Sequence, residues 1–155
     1  MERELIEKLK TKFTKSNQWS LVIGDLMLDQ YIFGEITRIS PEAPIPILKK
    51  EKEQFRMGGA ANVAANLSGL GIKTTLVGLI GKDINGARLT RLIKQKLIST
   101  RGLIKSKNPT TTKTRIVSGQ QQIIRIDEEK NSLPLDKNNI KKIIGLIKQK
   151  PSIII

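Results

Sequence analysis

Gly58-Gly59-Ala60-Ala61-Asn62-Val63-Ala64-Ala65-Asn66-Leu67-Ser68-Gly69-Leu70, followed by Thr74-Thr75-Leu76-Val77-Gly78-Leu79-Ile80-Gly81, is the stretch that decides the fold. Its first part is small and apolar. Two glycines open it, and Gly69 and Gly71 close it. It reads as a helix entered through a tight glycine turn and ended by a glycine cap. The second part is a continuous apolar run, which reads as a buried strand. Upstream, Trp19-Ser20-Leu21-Val22-Ile23-Gly24-Asp25 is another apolar run ending in glycine, the pattern of a buried parallel strand. Downstream, residues 83–86 read as a turn. Leu89, Leu92, Ile93 and Leu97 then fall at helical spacing from residue 86 onward, predicting a helix over about 86–96. Strand, helix, strand, helix in that order predicts an α/β fold, with a mostly parallel sheet flanked by helices.

Two β-rich segments interrupt this rhythm. Tyr31 to Ile39 is β-branched and aromatic. Ser40-Pro41-Glu42-Ala43-Pro44-Ile45-Pro46 carries three prolines in six residues and reads as an extended loop. Residues 46–51 could then form an edge strand. Thr114-Arg115-Ile116-Val117, Ser118-Gly119 and Gln121-Gln122-Ile123-Ile124-Arg125-Ile126 read as a hairpin. Residues 134–150 return to a helix with Ile140, Ile143, Ile144 and Ile147 on one face. At the other end, Leu5, Ile6, Leu9 and Phe13 predict a short amphipathic packing helix. Ile153-Ile154-Ile155 reads as the start of a buried strand. An exposed triple Ile would be an aggregation hazard, so the expectation is a fragment or a prematurely ended gene product.

Composition excludes whole classes of chemistry. The 155 residues contain no Cys and no His. A Ser-His-Asp triad, a Cys nucleophile, a His or Cys metal site and a disulfide framework are therefore all ruled out. Lys+Arg number 28 against 14 Asp+Glu, a net charge of +14. That excess suits polyanions. It is equally the background of an AT-rich genome, since 20 of the 28 are Lys and Ile dominates the apolar residues. With aromatics at 3%, base-stacking surfaces are scarce, and no nucleic-acid partner is expected. No apolar run approaches the roughly 20 residues of a spanning helix. The N-terminus lacks the apolar core of a signal peptide, so the expectation is a cytoplasmic protein without a membrane partner.

Chemistry must then come from carboxylates, cations, hydroxyls and backbone. The Gly58-Gly59 entry to a helix lets a ligand approach the backbone, although tight structural packing explains it as well. Neither the P-loop nor the dinucleotide-binding glycine spacing is present. Asp25 and Asp29 follow the first predicted strand, where open α/β sheets bind ligands. Asp29, placed deeper in the connection, is the better acceptor for sugar hydroxyls. Arg38, Arg115 and Arg125 lie on the two β-rich segments and are candidates for a phosphate, with a solvated strand face as the plainer reading.

Three motifs carry a resemblance. They are Val22-Ile23-Gly24-Asp25-Leu26-Met27-Leu28-Asp29-Gln30-Tyr31, Arg38-Ile39-Ser40-Pro41-Glu42-Ala43-Pro44-Ile45-Pro46 and Gly58-Gly59-Ala60-Ala61-Asn62-Val63-Ala64. Together they resemble the ribokinase-like (PfkB) carbohydrate kinases. Within that family they are most similar to the heptose 7-phosphate kinases that form the N-terminal half of bifunctional ADP-heptose synthases. Residues 109–115 and 120–127 fit the same subgroup. The resemblance covers nearly all of residues 1–155, read as the N-terminal part of a ribokinase-like kinase domain. It implies a mostly parallel sheet flanked by helices, with a small β lid built from about 31–56 and 111–127. Lids of two subunits often pair in this family, so a homodimer is implied. It further implies ATP-dependent phosphorylation of the anomeric hydroxyl of D-glycero-D-manno-heptose 7-phosphate, for ADP-heptose and lipopolysaccharide core synthesis.

Carried over by position, Asp29 would bind sugar hydroxyls, Gly58 and Gly59 would let the sugar approach, and Asn62 would donate to it. Arg38, Arg115 and Arg125 would hold the substrate's phosphate. The family's catalytic base lies in a Gly-Ala-Gly-Asp motif of the C-terminal half, together with an anion hole for the transferring phosphoryl group. No such motif occurs in these residues, so the catalytic residue and the nucleotide-binding half are missing. The expectation is a chain that binds neither the family's ATP nor its Mg2+ well and has no kinase activity alone. The alternative is a non-catalytic module that binds sugar phosphate or dimerises.

Overall fold

A computed structural model describes residues 4, 7, 8, 11, 18–130 and 134–155. The predicted amphipathic helix of Leu5, Ile6, Leu9 and Phe13 lies outside the described residues. The elements run β1 (Trp19–Ile23), β2 (Leu26–Ile39), β3 (Pro46–Gly59), α1 (Ala60–Gly69), β4 (Lys73–Gly81), α2 (Ile84–Gln95), β5 (Ser99–Ser106), β6 (Thr112–Ser118), β7 (Gln121–Glu128), α3 (Lys137–Ile147) and β8 (Ile153–Ile154). They form two four-stranded sheets, ordered β5-β4-β1-β8 and β3-β2-β6-β7.

Every pairing in the first sheet is parallel. Its strands alternate between two apolar layers, because successive side chains leave a strand on opposite faces. Val22, Leu76 and Ile80 face α1 and α2, in a core completed by Ala61, Ala64, Leu89 and Ile93. Leu21 and Val77 face α3 and meet Leu146, Ile143 and Trp19. Ala61 and Ala64 are fully buried, so the small residues of α1 serve close packing on the sheet. The terminal Ile residues do form a strand. β8 pairs with β1, and the Ile23 amide donates to the Ile155 carbonyl at 2.8 Å.

The second sheet joins the two β-rich interruptions. β2 pairs antiparallel with β3 and parallel with β6, and β6 pairs antiparallel with β7. The predicted hairpin is β6–β7, turned at Gly119 with φ 59°. The predicted edge strand is β3, which ends the sheet order.

The structure departs from the sequence reading at four places. Asp29 does not lie in a connection: β2 begins at Leu26, only two residues after β1, so Asp29 sits inside a strand. Leu26 and Leu28 point into the core and pull this stretch into extended pairing. Gly58 and Gly59 do not form a turn. They end β3, which runs straight into α1 with Gly59 as the cap residue at φ 56°. Residues 83–86 are the first turn of α2, because the Asp83 carboxylate accepts from the Gly86 amide and caps the helix. Finally, β5 has no counterpart in the sequence reading. Its Arg101 and Lys105 conceal a strand that buries only Gly102 and Ile104.

A hydrogen-bonded knot ties the two sheets together. Asp83 accepts from the Thr110 amide at 2.6 Å and from the Thr110 hydroxyl at 2.8 Å. The same hydroxyl accepts from the Gly81 amide at 3.0 Å. The end of β4, the start of α2 and the approach to β6 thus meet on one carboxylate. Burial raises the Asp83 pKa, but the donors from Thr110 and Gly86 outweigh it and hold the carboxyl below its ordinary value.

Candidate functional site

The β2–β3 hairpin enters α1 through Gly59, and this junction builds the site. Strand pairing sets Asp29 opposite Arg56, and Met27 opposite Gly58. A Cβ on Gly58 would stand 2.6 Å from Asp29 Oδ2 and 2.6 Å from Met27 Cγ. Gly58 is therefore what lets the Asp29 carboxylate lie against the strand backbone. A Cβ on Gly59 would meet the Asp25 carbonyl at 2.4 Å, and the Ala60 amide donates to that carbonyl at 3.0 Å. Only glycine combines a positive φ with so close a contact. Asp25 thus anchors the junction through its backbone.

Asp29 and Asn62 line one cleft of about 630 Å³, together with Tyr31, Arg56, Asn66 and Lys96. The carboxylate is already partnered. Arg115 Nη1 donates to Asp29 Oδ1 at 2.6 Å, and both side chains are about four-fifths buried, at 20% and 17% exposure. The Asp29 hydrogen bond pushes the Arg115 pKa above its ordinary value, against the opposing effect of burial. The guanidinium also lies 5.2 Å from the centre of the Tyr31 ring.

The other predicted cations are not brought to this point. Arg38 is nine residues from Asp29 on the same strand, about 30 Å away at the rise of an extended chain, and is exposed. Arg125 is opposite Arg115 on β7, but its Nε donates to Asp127 at 2.9 Å. Lys113 also pairs with Asp127, at 2.8 Å, so that end of the sheet is neutralised internally. Arg56 was not among the sequence candidates. Its signal was its place two residues before Gly58, on the same face of a strand, which becomes useful only once this segment is known to be extended.

The N-termini of α2 and α3 are occupied by their own caps, since Asp83 takes the Gly86 amide and Asp136 takes the Asn139 amide. A carboxylate there repels the phosphate that a bare helix end would attract. Among the described residues, no group of three or more acidic side chains could hold a metal ion. Among the described residues, only α1 opens without a side-chain cap, and its first turn lines the Asp29 cleft through Asn62. Among the described residues, no helix is long and apolar enough to cross a membrane.

The profile of the pfkB family carbohydrate kinases matches residues 18–145. The chain belongs to this family. It is 46% identical over 130 residues to the bifunctional protein HldE of Methylobacillus flagellatus, covering 83% of this chain and 27% of that one. It is 42% identical over 125 residues to the D-beta-D-heptose 7-phosphate kinase of Bordetella bronchiseptica, covering 81% of this chain and 40% of that one. This PfkB chain thus spans only about a quarter to two fifths of the length of these relatives. Its fold matches the Arabidopsis thaliana ribokinase complexed with ribose and ATP, with a TM-score of 0.59 at 19% identity over 73% of this chain and 36% of that one. The two-sheet arrangement is therefore a ribokinase-like fold.

Proposed function

We propose that this chain is the sugar-binding, N-terminal part of a kinase domain that phosphorylates D-glycero-D-manno-heptose 7-phosphate at its anomeric hydroxyl, for ADP-heptose and lipopolysaccharide core synthesis in the cytoplasm. The observation that carries this reading is the convergence of Asp29 and Asn62 on one cleft beside the uncapped start of α1. A carboxylate accepts from sugar hydroxyls, and an amide side chain both donates and accepts. Gly58 and Gly59 give that carboxylate and that helix end their places. The kinship with heptose kinases supports the choice of sugar. The mixed sheet would be the lid over the sugar.

ATP and Mg2+ would be held by a nucleotide-binding half that these 155 residues do not contain. The chain alone then binds the sugar phosphate without turning it over. Calorimetric titration with heptose 7-phosphate, run beside an ATP-dependent phosphorylation assay, tests both parts. Heat of binding without product is the expected result. Turnover would refute the inactive part, and absence of binding would refute the sugar reading.

A dimerising role is supported by a specific feature of the mixed sheet. Ile123, Ile124 and Ile126 on β7 are 41%, 51% and 47% exposed, an apolar surface that a second copy's lid could cover. Sedimentation velocity across a concentration series checks this, with a monomer at every concentration as the opposing result.

A further inference from the structure

Tyr31 lies between two arginines. Arg56, from β3, has its guanidinium carbon 4.9 Å from the ring centre, and Arg115, from β6, has its own 5.2 Å away. The two cations differ in what else they hold. Arg115 is neutralised by Asp29 at 2.6 Å. Arg56 donates to the neutral Gln54 side chain at 3.3 Å and forms no ion pair among the described residues. Of the two, only Arg56 lines the cleft with Asp29 and Asn62, and Asp29 is the one carboxylate in that lining, where Lys96 adds a further positive charge. An exposed arginine without a carboxylate of its own is available to an external anion. Its planar fork matches the oxygens of a phosphate.

From this arrangement we infer that Arg56 selects a phosphorylated sugar over its unphosphorylated counterpart. The inference rests on the sugar-kinase reading of the cleft and deepens it. Asp29 and Asn62 take hydroxyls, and Arg56 takes the phosphate group that the incoming sugar already carries. Stacking on Tyr31 holds the guanidinium over the cleft, so little side-chain freedom is lost on binding. Arg38 is too distant for this task. Arg125 already spends its charge on Asp127.

The test compares the full chain with Arg56→Ala, Arg56→Gln and Lys141→Ala, a surface change elsewhere. Each is titrated calorimetrically with heptose 7-phosphate and with the same heptose lacking the phosphate. The original chain and Lys141→Ala should prefer the phosphorylated sugar by about tenfold or more, the yield of one charge-assisted pair. Both Arg56 variants should bind the two sugars equally, with unchanged far-ultraviolet circular dichroism. Arg56 is exposed, so its loss should leave the fold intact. If the Arg56 variants keep the preference, the inference is overturned while the sugar reading stands. If the original chain binds both sugars equally, the outcome is the same. If it binds neither, both fall.

Discussion

Replacing Asp83 with alanine should loosen the joint between the two sheets. Three donors converge on this carboxylate: the Gly86 amide at 2.6 Å, the Thr110 amide at 2.6 Å and the Thr110 hydroxyl at 2.8 Å. Loss of the helix cap costs about 1 kcal/mol. Thr110 is only 3% exposed, so its amide would be left buried without an acceptor, at about 1–3 kcal/mol more. The sum is about 2–4 kcal/mol, a large part of the stability of an ordinary domain. Urea unfolding followed by circular dichroism, at pH 7 and at pH 3, measures it.

The sign of the pH effect follows from the depressed Asp83 pKa. A carboxyl held below its unfolded value contributes its full stability above that value, and loses it as pH falls through the lower, folded value. The gap between the original chain and Asp83→Ala should therefore be widest at pH 7 and narrow in acid. A gap under about 1 kcal/mol at pH 7, or one that does not shrink in acid, would refute the assignment of Asp83 as the charged hub of this joint.

Other outcomes follow from the same geometry. Gly59→Ala should destabilise by about 1–3 kcal/mol, because a positive φ and the Asp25 carbonyl both oppose a Cβ. Gly69→Ala, at the open end of α1, should instead gain a few tenths of a kcal/mol up to about 1, and urea midpoints read both. Leu146→Ala should cost about 2–4 kcal/mol through the cavity left beneath α3, whereas Ile144→Ala, on the exposed side, should change little. Asp29→Asn should weaken heptose 7-phosphate binding about tenfold or more in calorimetric titration, since a charged acceptor becomes neutral and Arg115 loses its partner.

The alternation of apolar runs and amphipathic helices is legible in the sequence, and it yields the parallel sheet with its helices. The reason is that burial on both faces of a strand forces continuous apolar sequence, as in Leu21-Val22 and Leu76-Val77. The hairpin of β6 and β7 was readable from its turn residues. β5 was not, because a strand at a sheet edge can keep Arg101 and Lys105 in solvent and so carries no strong pattern. Nor was the start of β2: Leu26-Met27-Leu28-Asp29 looks like a connection until Leu28 is seen to be fully buried.

The site divides in the same way. Residue type and position singled out Asp29, Gly58 and Gly59, and the resemblance to the family added Asn62. The arginines could not be ranked from the chain. Arg38, Arg115 and Arg125 carry the same charge and sit on similar segments, yet one is held by Asp29, one by Asp127 and one lies at the far end of β2. Arg56 looked like any other cation in a charged stretch of sequence. Pairing between strands distant in sequence sets which arginine faces which carboxylate, and Coulomb attraction at hydrogen-bond distance then decides which are satisfied and which remain for a ligand. The sequence by itself determined what chemistry was available. The tertiary structure alone decided which charges were already spent.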